Sequence, residues 1–340
     1  MPLTLEDIAA LSGTSRSTVS RVINGDHAVR EATRERVLTV LQTLNFQPNL
    51  AARGLAAGHT RVLGLVIPMG VSTIFTDPFF PMLIQGVSSA CNACDYSVML
   101  WLAEPEYERR TISKIFYNGL LDGVIVASML TDDPIIEALG EGRLPFVLIG
   151  RHPSREQTCY VDVDNAQSSR QAVLHLLRLG RRRVATITGP QKMVGGIDRL
   201  QGYQTALRER GLPILPEMVA EGDFTEMGGY IAMRQLLRSR PDAVFAASDM
   251  MAIGALRALT EAGLRVPQDI SLVGFDDIPA AAHTAPPLTT VRQPTQRMGA
   301  LAVETLIDRI ENPTPEVCHL VLPAELMVRE SCGTSLGLFH

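Results

Sequence analysis

Two rhythms of apolar residues divide the chain. Over the first 45 residues the rhythm is helical: Leu5, Ile8, Ala9 and Leu11 recur at helical spacing, Gly13-Thr14 interrupts, Val19, Val22 and Ile23 resume the period, and Asn24-Gly25 stops it. A third stretch, REATRERVLTVLQTL, puts Val37, Val40, Leu41 and Leu44 on one stripe and Glu31, Arg34, Glu35 and Arg36 on the other face. Three short helices with a tight turn after the first predict a small all-α helix-turn-helix head. From Val62 the rhythm changes to short apolar runs separated by helical segments: VLGLVIP, SVMLWLA, GVIVAS, FVLIG, YVDVD, RVATITG, AVFAASD and SLVGFDD. Such runs predict an α/β body with parallel sheets covered on both faces, and the length fits two subdomains. Ligands of such sheets bind beyond the carboxyl ends of the strands. The runs end in Ser128, Arg151, Asp164, Ser248-Asp249 and Asp276-Asp277, so a polar cleft is expected there.

Between the two rhythms lies FQPNLAARGLAAGHTR, residues 46–61. Its helix signal, LAARGLAAG, is shorter than the roughly 12 residues that an isolated helix needs, so its helix depends on a partner. No repeat and no low-complexity tract is visible.

Composition narrows the classes. In 340 residues, 46% hydrophobic and 20% charged, there is apolar material for a folded core and no uninterrupted apolar run of membrane-spanning length. The N-terminus carries Glu6 and Asp7 and lacks the apolar stretch of a secretory signal, so a cytoplasmic location is expected. Five scattered cysteines agree with a reducing compartment, and Cys91-Asn-Ala-Cys94, without a second pair or a nearby histidine, reads as small thiols at a helix end. The net charge of −5 conceals a head of +2 over residues 1–61 and a remainder of −7. A mildly basic head permits DNA binding, and all seven of its cations are arginines, suited to forked contacts with phosphate and guanine. No dinucleotide, Walker, nucleophile-elbow or HExxH motif is present and the seven histidines show no ligand spacing, so no enzyme, metal or cofactor is expected.

Nine separated blocks carry a resemblance over essentially the whole chain: TLEDIAALSGTSRSTVSRVING, NLAARGL, DPFF, DGVIVAS, HLLRLGRRRVATITGP, DRLQGY, GDFTEMGGY, SDMMAIGALRALTEAGLRVPQDISLVGFDD and PPLTTVRQP. Together they resemble the lactose-repressor/galactose-repressor (LacI/GalR) family of bacterial transcription factors. The resemblance implies a helix-turn-helix domain over residues 1–45, a hinge helix and linker over 46–61, and an effector-binding and dimerisation body over 62–340. The body would comprise two doubly wound subdomains of periplasmic-binding-protein type, about 62–160 plus 291–322 and about 161–290 plus 323–340. The second helix, Ser15 to Asn24, would enter the major groove of an inverted-repeat operator. Arg16 and Ser17 resemble the family's specificity pair and Arg21 its base-reading arginine, while Ser15, Thr18, Ser20 and Asn24 are short donors for phosphate oxygens. In the linker, Asn49 would join the DNA-contacting set and Leu55 resembles the leucine wedge of the minor groove. Gly54 departs from the family's usual helix former and predicts a hinge that orders only on DNA; Arg30 departs from a capping serine.

In the cleft, Phe79, Phe80 and Phe224 resemble aromatic walls for a sugar or base, Arg199 the main ligand-binding arginine and Asp276 the carboxylate acceptor for ligand hydroxyls. Asp77, Ser128, Arg151, Ser248, Asp249 and Gln293 are further candidates, and Asp277 is assigned to capping or subdomain structure. The stretch MGVSTIFTDPFF is longer than the family's usual first loop. The resemblance implies an allosteric repressor, a homodimer with no extra heptad helix for a tetramer, and a small polar effector, a sugar first and a nucleobase second. A periplasmic sugar-binding module and a regulator answering to a protein corepressor are the alternatives.

Overall fold

The computed structural model describes residues 3–23, 26, 28–46, 59–102, 116, 119–127, 130–153, 157–312 and 316–334. The expectations for Asn24, Asn49, Gly54, Leu55 and Ser128 fall outside these residues. The chain forms two compact units, residues 1–60 and 61–340.

The first unit holds α1 (Leu5–Ser12), α2 (Arg16–Ile23) and α3 (Glu31–Thr43) around a core of Ile8, Ala9, Val19, Val22, Val29 and Val37. A capping box starts α1: the Thr4 hydroxyl accepts from the Asp7 amide and the Asp7 carboxylate accepts from the Thr4 amide. Gly13, in the left-handed region at φ 62°, ends the helix and lets the chain turn into α2. Leu11 does not join the core stripe and is 62% exposed; positions 5, 8, 9 and 12 make the inner face, and there the Ser12 hydroxyl donates to the Ile8 carbonyl. Arg30 stands at the N-cap of α3 without a side-chain cap bond.

In the second unit, two six-stranded sheets share the chain. The first has the order β11-β5-β4-β3-β1-β2, from β1 (Val62–Val66), β2 (Ser97–Trp101), β3 (Gly123–Val126), β4 (Phe146–Ile149), β5 (Tyr160–Val163) and β11 (His319–Leu322), all parallel. The second has the order β12-β10-β9-β8-β6-β7, from β6 (Val184–Thr188), β7 (Val219–Glu221), β8 (Ala243–Ala246), β9 (Ser271–Asp276), β10 (Thr289–Arg292) and β12 (Glu325–Met327). Here β12 runs antiparallel to β10, an exception to the expected parallel pairing.

Alternation along the strands divides each sheet's side chains between two cores. Leu63, Leu65 and Ile67 face α5 (Phe79–Ala93) and α11 (Thr295–Glu311), whereas Val66, Val124 and Val126 face α6 (Pro134–Gly140). Gly86 of α5 and Gly299 of α11 leave no room for a Cβ against the other helix's backbone, which sets how closely the two cross. The second sheet is covered by α7 (Asn165–Arg178) and α8 (Val194–Glu209) on one face and by α9 (Glu226–Leu236) and α10 (Asp249–Glu261) on the other. The long first loop contains a short helix, α4 (Val71–Thr76), immediately before α5.

The chain passes between sheets three times: from β5 into α7, from β10 into α11, and from β11 into β12. The parallel strands of both sheets therefore present their carboxyl ends near the crossings. No helix among the described residues is long and apolar enough to cross a membrane.

The missing cap on α3 gives a direct expectation. Arg30→Ser should stabilise the head by about 0.5–2 kcal/mol, read as a higher urea midpoint of residues 1–60 in the full chain; no shift would mean the helix end is satisfied in another way.

Candidate functional site

The exposed side of α2 carries Ser15, Arg16, Ser17 and Arg21, with Thr18 and Ser20 half-buried beside them. The Ser15 hydroxyl accepts from the Thr18 amide at 3.2 Å and so serves the start of the helix as well as its surface. Both arginines are held by nearby acids: Arg16 Nε lies 2.9 Å from Glu6, and Arg21 Nε 2.7 Å from Asp26. These pairs are exposed and weak, so they steady the guanidinium groups and cost little to break.

In the body, a cavity of about 320 Å³ opens where the two sheets' strand ends meet. Eight of the eleven cleft candidates line it: Asp77, Phe79, Phe80, Arg151, Arg199, Phe224, Asp276 and Gln293. Arg199, on the first turns of α8, is buried under them. Its Nε donates to Asn165 Oδ1 at 2.9 Å and its Nη1 to the Ala247 carbonyl at 2.6 Å, and Nη1 lies 3.4 Å from Asp276 Oδ1. The guanidinium also lies over the Phe275 ring, 3.8 Å from its centroid. Asp276 ends β9 and accepts from Gln293 Nε2 at 2.6 Å. Phe224 adopts φ 66° and lays its ring against Gly189, where a Cβ would overlap it. Phe79 and Phe80 meet edge to face with centroids 5.4 Å apart.

This pairing of a helix-turn-helix unit with a two-sheet cleft recurs in known proteins. Residues 4–49 match the model of the bacterial regulatory proteins of the lacI family, and residues 173–332 that of the periplasmic binding protein-like domain. The HTH-type transcriptional regulator CelR of Thermobifida fusca is 43% identical over 332 residues, 96% of this chain and 98% of that relative. The chain belongs to the LacI family. A solved CelR–cellobiose complex superposes with a TM-score of 0.78 at 42% identity, over 97% of this chain and 99% of that one. The lac repressor dimer bound to operator and the anti-inducer ONPF superposes with a TM-score of 0.88 at 28% identity, over 98% and 99%. This LacI-family chain is thus a DNA-binding transcriptional regulator with an effector cleft.

Two strand-end candidates do not line the LacI-family cleft. Asp249 is fully buried: Thr290 Oγ1 donates to it at 2.5 Å and the Ile278 amide at 3.0 Å, so it ties β10 and the turn after β9 beneath the cavity. Ser248 caps α10 through the Met251 amide. Asp277 pairs with Arg292 and Arg329, both at 2.6 Å, a structural role as expected. Asp77 does line the cavity, and just before α5 its carboxylate accepts from the Phe79 amide at 3.0 Å.

Sequence reasoning missed Asp162, Asn165 and Asp198. Asp162 reads as an interior strand position in YVDVD, and Asn165 as a helix start. Asp198 adjoins Arg199 in DRLQGY, a signal that could have found it; it pairs with Arg151. Met69, Met193, Met227, Met250 and Met298 also line the cavity, supplying pliable apolar walls.

Burial pushes the carboxyl groups upward. Asp276 rises to about 7, with Arg199 drawing it back, and Asp162 rises to about 6. Asp77, Asp198 and Asp249 are raised for the same reason. Such groups hold protons in the folded body that an unfolded chain releases above about pH 4. Folding therefore takes up protons between that pH and about 7, and stability contributed by these groups is lost as pH rises through the window. Thermal unfolding of the unliganded protein should show Tm falling from about pH 5 to about pH 8, and Asp276→Asn should flatten the fall. A wild-type Tm that climbs over this range would contradict the assignment.

Proposed function

We propose that this protein is a repressor that binds an inverted-repeat operator as a homodimer in the cytoplasm and performs no catalysis. Its operator affinity is set by a small saccharide held in the cleft. The observation that carries the reading is the buried Arg199 with Asp276 and Gln293 at the base of a cavity walled by Phe79 and Phe224. A guanidinium and a carboxylate side by side offer donor and acceptor to adjacent hydroxyl groups, while the aromatic and methionine walls meet the C–H faces of a sugar ring. The relative's complex with cellobiose favours a saccharide over a nucleobase.

In this reading, α2 enters the major groove with Arg16, Ser17 and Arg21 at base edges and with Ser15, Thr18 and Ser20 at phosphates. Residues 46–61 serve as hinge, with Asn49 and Leu55 at the operator centre. Sugar binding favours one arrangement of the two subdomains, and that choice changes operator affinity, a coupling usually about 1–3 kcal/mol.

Two substitutions separate the halves of this function in an operator-binding assay by fluorescence anisotropy. Arg21→Ala should weaken the specific site by about 10- to 100-fold, the equivalent of about 1–3 kcal/mol, and barely change binding to random DNA. Arg199→Ala should leave operator binding intact and abolish its response to saccharide. A response that survives Arg199→Ala would place the effector elsewhere.

A further inference from the structure

Arg151 follows β4 of the first sheet, whereas Asp198 belongs to α8 over the second, so their ion pair spans the cleft. The Asp198 side chain is 7% exposed and its strongest attraction is to Arg151. Just ahead of α8 the two subdomains also meet through main chain: the Thr131 amide donates to the Lys192 carbonyl at 2.9 Å, and Leu130 bridges Met193. Arg151 is therefore held in place by a group from the opposite wall.

Arginine is the side chain with which a cleft grips a phosphate or carboxylate. Among the described residues, two arginines line this cavity, and both face carboxylates of the chain itself, Arg199 with Asp276 and Arg151 with Asp198. Helix N-termini are the other common anion holders, and the side chains here already serve most of them. Asp77 takes the Phe79 amide, Asp164 the Gln167 amide, and the Thr225 hydroxyl the Gly228 amide. The start of α8 has no side-chain cap, and on its first turns stands Asp198, which feels the charge of Asp162. Asp77, Asp162, Asp223 and Glu226 also line the cavity, and Glu226 is held by Arg257 behind it. An incoming anion would meet like charge wherever it sought a cation.

We infer that Asp198 is a specificity-determining residue: by neutralising Arg151 it keeps the cleft open to an uncharged saccharide and closed to the phosphate ester or acid of the same sugar. The inference rests on the saccharide reading of the cleft. It also places the signal in a reaction sequence. The regulator senses sugar before phosphoryl transfer or oxidation to a sugar acid, so either class of reaction removes the signal by converting it to a form that the cleft rejects.

The test is calorimetric titration of the full-length protein with uncharged mono- and disaccharides, their 6-phosphates and the corresponding sugar acids. The wild type should prefer the uncharged member of a matched set by about 100-fold or more, because juxtaposed like charges are strongly disfavoured. Asp198→Asn, close in shape to a buried carboxyl, should narrow that ratio at least about tenfold by gaining affinity for the 6-phosphate. Adding Arg151→Gln to Asp198→Asn should remove the gain, which a merely structural role for Asp198 would not predict. Should Asp198→Asn not fold, Asp198→Ser makes the same comparison and the wild-type ratio still decides the first point. Wild-type binding of the 6-phosphate as tightly as the parent sugar overturns the inference, as does an unchanged ratio in the folded variant. Failure of every saccharide, charged or not, overturns the saccharide reading along with it, whereas equal binding of both forms overturns only the role of Asp198.

Discussion

A guanidinium taken out of water must be paid back on every side, and in this body that demand organises the cleft around Arg199. Desolvating an ion costs several kcal/mol. Arg199 recovers it from three separate places in the fold: Asn165 at the start of α7, the Ala247 carbonyl after β8 and the Asp276 carboxylate at the end of β9, with the Phe275 ring beneath. One cation cannot match all the acids gathered near it. Burial raises the carboxyl groups of Asp162 and Asp276, and the pull of Arg199 only partly offsets it, so both keep their protons to higher pH than free carboxyl groups do.

The same residues stand beside the crossings between the sheets. Asn165 follows the passage out of β5, and Gln293 begins the passage from β10 into α11. A ligand that engages Arg199, Asp276 and Gln293 therefore touches groups bonded to the strands about which the subdomains would pivot. Coupling of cleft to DNA needs only a ligand that prefers one arrangement of those strands.

Much of this was legible in the sequence because buried parallel strands are written as apolar runs. Strands outside that description were harder to see: VAE of β7 is three residues long, TTVR of β10 is half threonine, and HLVL of β11 lies at a sheet edge with alternate residues exposed. The direction of β12 is set by its pairing with β10 and has no local signature. Leu11 shows the limit of periodicity in an eight-residue helix, where a neighbouring position can satisfy the spacing and still face solvent. In the cleft, Arg199, Asp276 and Phe224 stood in recognisable blocks, whereas Asp162 was masked by strand alternation. Asp249 occupies a strand-end position like Asp276, but its carboxylate turns down to Thr290, a choice of side-chain direction that sequence does not record.

The bond between Arg21 and Asp26 bears on how the head searches a genome. If Arg21 reads bases as proposed, then on arbitrary DNA its guanidinium can remain with its own carboxylate while other cations follow the phosphates, and the protein slides with that side chain folded back. Only a guanine edge offering two acceptors repays its release. The intramolecular pair would then act as a competitor that only a matching base edge displaces, trading a little affinity at the operator for shorter pauses at the many sites that merely resemble it.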